Sequence, residues 1–136
     1  SYKFHPLRFH TADPKALEIC GYDPKVWEEE ALHWNKASIK NLAKKLEGSV
    51  IVGHNVSFDM NFLKALFKDF GVKNKFPPTL DTRALAKMVW GFSDLRMDYI
   101  RENVDEMITE GGHRALKDTE DCVFIYNKFW VYSSMK

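Results

Sequence analysis

Cysteine is scarce in this sequence: only Cys20 and Cys122 occur, far apart and outside any CxxC pair. That spacing excludes a disulfide scaffold and gives no support to a zinc site. Charge of one sign is also lacking, since 20 Lys and Arg face 19 Asp and Glu for a net charge of +1. A broad positive field for gripping nucleic acid is therefore excluded, and any contact with phosphate has to be local. No apolar run approaches the roughly 20 residues that span a bilayer. The opening SYKFHPLRFH is too polar and aromatic for a signal peptide. These absences lead to the expectation of a soluble, cytoplasmic protein without a membrane partner. No repeat, low-complexity tract or charge block divides the chain. What is abundant is apolar material, 45% hydrophobic and 14% aromatic over 136 residues, enough for one sizeable core and too little for two. A single domain over residues 1–136 is expected.

Helix and strand signals alternate along the chain. Tyr2 to His5 reads as a short strand stopped by Pro6. Asp13-Pro14 reads as a helix start, with Asp as the cap, Pro at the first helical position and Gly21 as the end. Asp23-Pro24 opens a short turn or helix through Trp27, followed by a loop. From Ser38 the spacing of Ile39, Leu42, Ala43 and Leu46 predicts an amphipathic helix closed by Gly48. Val50, Ile51 and Val52 form a continuous apolar run, the signature of a central strand buried on both faces. Phe58 to Phe70 predicts a helix with Phe62, Leu63, Leu66, Phe67 and Phe70 on its inner face and Gly71 as its stop. A short strand near Thr79, a helix capped by Asp81, a helix over 95–103 and a long helix from about Ala115 follow. In that last helix, Leu116, Val123, Tyr126, Asn127 and Trp130 trace a mixed stripe. Strands separated by helices imply an α/β domain.

Two segments carry chemistry. Gly53-His54-Asn55-Val56-Ser57-Phe58-Asp59 lies between the strand and a helix, where α/β sheets place their active sites. Asp59 can present a carboxylate to a hard cation there, with Phe58 turned into the core. It can equally be a helix cap. Gly111-Gly112-His113-Arg114-Ala115-Leu116-Lys117-Asp118 sets a histidine on a glycine loop ahead of the last helix, with Asp118 in that helix's first turns. An imidazole and a carboxylate so placed can approach one site from two directions. The plainer alternative for His113 is a surface loop residue. Asp81 and Asp121 are accounted for by capping and by a solvated helix face. Trp27, Trp34, Trp90 and Phe92 are read as core or rim packing rather than base-stacking platforms.

HNVSFD (residues 54–59) and HRALKD (residues 113–118) resemble the second and third motifs of the DEDDh 3′-to-5′ exonuclease superfamily, which includes proofreading subunits and ribonuclease T. Their order and separation match, and supporting similarity runs through residues 16–21 and 80–86. With four residues between His113 and Asp118, the pattern is similar to the histidine subclass rather than the tyrosine one. The resemblance implies a ribonuclease H-like mixed sheet flanked by helices. It also implies a metal-dependent exonuclease that releases nucleoside 5′-monophosphates from single-stranded DNA or RNA 3′ ends. Asp59 and Asp118 would ligate metal, and His113 would take the proton of the attacking water. His54, Asn55 and Phe58 would meet the substrate. Two Mg²⁺ or Mn²⁺ ions roughly 3.5–4 Å apart would be the cofactors.

The family's first motif, an Asp-x-Glu on the first strand, is not found. Asp118-Thr119-Glu120 is the only such triplet, and it belongs to the third motif. Two of the four carboxylates and the first two strands are therefore expected upstream of Ser1. Unpaired backbone groups on a buried strand cost about 1–3 kcal/mol each, too much for a domain stable by ~5–15 kcal/mol. The competing function is a nuclease-derived module that has lost those acids and only holds nucleic acid ends.

Overall fold

The computed structural model describes residues 12–19, 21–30, 34–107 and 115–135. The expected Tyr2 to His5 strand, Cys20 and the glycine loop with His113 lie outside them. Helices α1 (Pro14–Ile19) and α2 (Pro24–Glu30) both start at the Asp-Pro pairs. Asp13 Oδ1 accepts the Lys15 amide at 2.8 Å, and Asp23 Oδ1 accepts the Lys25 amide at 2.9 Å. Helix α3 (Lys36–Leu46) begins two residues before the expected start at Ser38. The reason is a reciprocal cap: Asn35 Oδ1 accepts the Ser38 amide at 2.9 Å while Ser38 Oγ accepts the Asn35 amide at 3.2 Å. Ser38 thus completes a cap that Asn35 initiates.

Strand β1 (Ile51–Gly53), helix α4 (Val56–Asp69) and strand β2 (Thr79–Asp81) form a β-α-β unit. The two strands pair in parallel with Ile51 opposite Thr79, Val52 opposite Leu80 and Gly53 opposite Asp81. Helices α5 (Thr82–Trp90), α6 (Met97–Asn103) and α7 (Ala115–Ser134) follow. The expectation of a strand buried on both faces is corrected. Val50 is 55% and Val52 38% exposed, because residues two apart share one face of a strand and that face is uncovered among the described residues.

Two apolar clusters hold these elements together. In one, Ile39 and Ala43 of α3 meet Phe67 of α4, with Leu63, Leu66, Phe70 and Trp34 packed against them. Phe58 and Phe62 do not join them, contrary to the sequence reading. They sit one helical turn apart on the outer face of α4, 59% and 65% exposed, with ring centroids 5.0 Å from each other. The larger cluster joins Leu85 and Ala86 of α5, Ile100 of α6, Val104, Met107, and Ile125 of α7. Trp90 and Phe92 stack at 6.0 Å against this cluster, as core packing requires. On α7 the inward residues are Cys122 and Ile125, with Phe129 partly buried. Of the expected stripe, Tyr126 packs against the larger cluster, whereas Leu116, Val123 and Trp130 lie more than half exposed and Asn127 is exposed as well. Gly91 ends α5 at φ 72°, a left-handed cap that glycine adopts without steric cost.

Ile125 has no exposed surface and lies where α5, α6 and α7 meet. Ile125→Ala is expected to destabilise the domain by about 2–5 kcal/mol, read as a lowered midpoint in urea unfolding.

Candidate active site

The turn from β1 into α4 is built on two unusual residues. A Cβ on Gly53 would come within 3.2 Å of the Val56 side chain, so a larger residue would have to push that valine aside by a few tenths of an ångström. Asn55 adopts the left-handed region (φ 61°, ψ 42°), which asparagine tolerates better than most residues. Asn55 is also the N-cap residue of α4. Asp59 is therefore not the cap, and that alternative from the sequence is removed. Its carboxylate sits in the helix's first turn and has no hydrogen-bond or ion-pair partner among the described residues.

His54 is held at both ring nitrogens. Nε2 lies 2.7 Å from the Leu95 carbonyl and Nδ1 3.0 Å from Thr82 Oγ1. A carbonyl only accepts, so Nε2 carries the proton and Nδ1 accepts from the Thr82 hydroxyl. Burial lowers the pKa of His54 below its ordinary 6.5, against the opposing bond to Leu95 and the charge of Asp81. This imidazole is a neutral strut across β1, α5 and the approach to α6. Asp81 makes a second tie. Its Oδ1 accepts the Asn55 amide at 3.2 Å and caps α5 through the Arg83 amide at 3.0 Å. The Arg83 guanidinium chelates the same carboxylate. Burial raises the Asp81 pKa, but hydrogen bonds from the Arg83 side chain and from the Arg83 and Asn55 amides outweigh it and hold the group below the usual carboxylate range. Burial pushes the Cys122 thiol up, which leaves it inert.

A third tie was not foreseen. Arg101 of α6, with a side chain 4% exposed, bonds Asp118 Oδ1 at 2.6 Å, Asp121 Oδ2 at 2.7 Å and Asp98 Oδ1 at 3.0 Å. Lys117 pairs with Asp121 as well. Asp121, expected on a solvated face, is 3% exposed, because the Arg101 and Lys117 cations compensate its charge. A signal for Arg101 was present. It falls on the stripe of Met97, Ile100 and Val104, an apolar helix face where an unpaired cation would be costly.

These ties surround an open cleft of about 840 Å³. Asp59 and Asp118 both line it, together with His54, Asn55, Arg83 and Arg101. Each of the two aspartates occupies the first turn of its helix, where the helix dipole favours a negative charge. Phe58 lies outside the lining. Among the described residues no group of three or more His, Cys, Asp or Glu side chains could hold a metal ion. No described helix is long and apolar enough to cross a membrane.

Comparison with known proteins agrees with the motif order. A family model described as an exonuclease, of the RNase T type, matches residues 4–126. Ribonuclease T of Photorhabdus laumondii is 35% identical over a region covering 88% of this chain and 61% of that protein. For Ribonuclease T of Salmonella typhimurium the values are 33%, 90% and 63%. The PolC-type DNA polymerase III of Bacillus cereus is 35% identical over 52% of this chain, which is 5% of that much longer protein. The chain thus spans about three fifths of the Ribonuclease T sequences it matches.

The depressed His54 pKa has a definite sign. Above pH 6.5 the ring is neutral in both states and the fold keeps its full stability. As pH falls below that value, the unfolded chain gains a proton that the folded chain resists, so stability declines towards the folded-state pKa. Melting temperatures between pH 8 and 5 should show this decline, and His54→Asn should flatten it.

Proposed function

Because this chain belongs to the exonuclease family whose model spans residues 4–126, we propose that it forms the catalytic wall of a metal-dependent 3′-to-5′ exonuclease acting on single-stranded DNA or RNA ends. One observation carries the reading: Asp59 and Asp118, 59 residues apart in sequence by subtraction of their numbers, line one cleft from the first turns of two helices. The donor chemistry fits a hard dication, since both groups are carboxylates and Asp59 is unpartnered among the described residues. Mg²⁺ or Mn²⁺, when bound, supplies positive charge that acidifies water and stabilises a leaving oxygen. Asp59 and Asp118 would hold the ions, and a two-ion site calls for further carboxylates besides these two.

The chain's own groups have separable tasks. His113 would accept the proton of the attacking water, a role suited to a group that titrates near neutrality. The Asn55 side chain, exposed at the mouth of the turn, would hydrogen-bond the terminal nucleotide. Phe58 offers an exposed ring beside Asp59 for stacking on a terminal base. His54 would contribute by holding the cleft wall, since both of its ring nitrogens are already bonded within the protein. The product would be a nucleoside 5′-monophosphate. The second reading is a catalytically inactive module that only holds nucleic acid ends, and the engagement of Asp118 Oδ1 by Arg101 favours it, because that bond occupies one oxygen of a would-be ligand.

A 5′-labelled single strand separates the two readings. The exonuclease reading expects stepwise release of mononucleotides that needs Mg²⁺ or Mn²⁺ and stops with chelator. Asp59→Asn and Asp118→Asn should each lower the rate by at least about 10²-fold, and His113→Ala by about 10²–10⁴-fold. Binding of the strand without metal-dependent release would establish the inactive module instead.

A further inference from the structure

Arg101 is the most heavily engaged charged group in the cleft wall. Its side chain is 4% exposed, and its three nitrogens reach three different carboxylates, Asp98, Asp118 and Asp121. The three carboxylates do not depend on it equally. Asp121 is 4% exposed and has Lys117 as a second cation on its other oxygen. Asp118 is 45% exposed, and Arg101 is its partner at Oδ1, while Oδ2 takes no bond among the described residues. The site can therefore accept positive charge at the free oxygen of Asp118.

We propose that Arg101 is the resident counter-cation of Asp118, sharing that carboxylate with the divalent ion and thereby limiting how tightly the ion binds. The inference rests on the reading of Asp118 as a metal ligand. Two effects oppose each other when a guanidinium and a dication hold one carboxylate. Arg101 orients Asp118 through one charge-assisted bond, which favours the ion. It also repels the ion, and although the Arg101 side chain is itself buried, the cleft is open and Asp118 is 45% exposed, so water and salt moderate that repulsion. Against a single orienting bond, we take the repulsion between a single and a double charge as the larger effect. Arg101 also neutralises Asp118 and Asp121 when no ion is present, so the metal-free chain keeps α6 and α7 together.

The test is the dissociation constant for Mn²⁺ alone, measured by electron paramagnetic resonance of the free ion. Wild type, Arg101→Gln, Arg101→Lys and Asp118→Asn are compared, with melting temperatures recorded in parallel. Arg101→Gln is expected to tighten Mn²⁺ binding on the order of tenfold and to melt lower without metal. It should also regain more of its melting temperature on adding Mn²⁺ than wild type does. Arg101→Lys keeps the charge and loses the fork, so its Mn²⁺ affinity should stay within about threefold of wild type. Unchanged or weaker binding in Arg101→Gln would overturn the proposal, because a purely structural or purely orienting residue gives that result. Should Arg101→Gln not fold, a loss of about tenfold or more in Arg101→Lys would overturn it in the same way. If wild type binds no Mn²⁺ that Asp118→Asn removes, the assignment of Asp118 as a ligand fails first and takes the proposal with it.

Discussion

The His54 imidazole is the fastening on which the cleft depends. Its two nitrogens reach a hydroxyl 28 residues away and a carbonyl 41 residues away, so one side chain sets the spacing of β1, α5 and the approach to α6. These bonds lie half-buried, where losing either partner leaves a polar group without water to replace it. The Asp81 and Arg101 ties repeat the principle on the neighbouring walls. Backbone pairing between β1 and β2 covers only three residue pairs. Among the described residues, polar cross-links between distant segments add to the positioning that this pairing provides.

Most of the element order was legible in the sequence because its signals are local. The Asp-Pro starts of α1 and α2, the Asp81 cap, the glycine stops and the start of α7 each depend on a few adjacent residues, and each is found where expected. Asp59 and Asp118, singled out by their motifs, both line one cleft. The ribonuclease H-like α/β class agrees with the family to which the chain belongs.

What was not legible depends on which way a helix face or strand edge turns. Phe62 satisfied an apolar spacing but faces outward, because α3 covers the neighbouring line through Leu63 and Phe67. Asp121 resembled any acidic residue on a surface helix until Arg101, twenty residues earlier, was found against it. The ion pair leaves a trace on one side only, since Arg101 interrupts the apolar stripe of α6 while nothing beside Asp121 marks its partner. It is written in two separate segments, neither of which requires the other until they fold together.

β1 pairs in parallel with β2 along one of its two edges. Its edge opposite β2 carries no strand among the described residues, and Val50 and Val52 stand beside that edge with more than a third of their surface in water. A further length of backbone laid along that edge would pair the β1 amides and cover both valines together, so the open edge and the exposed side chains are one feature with one remedy.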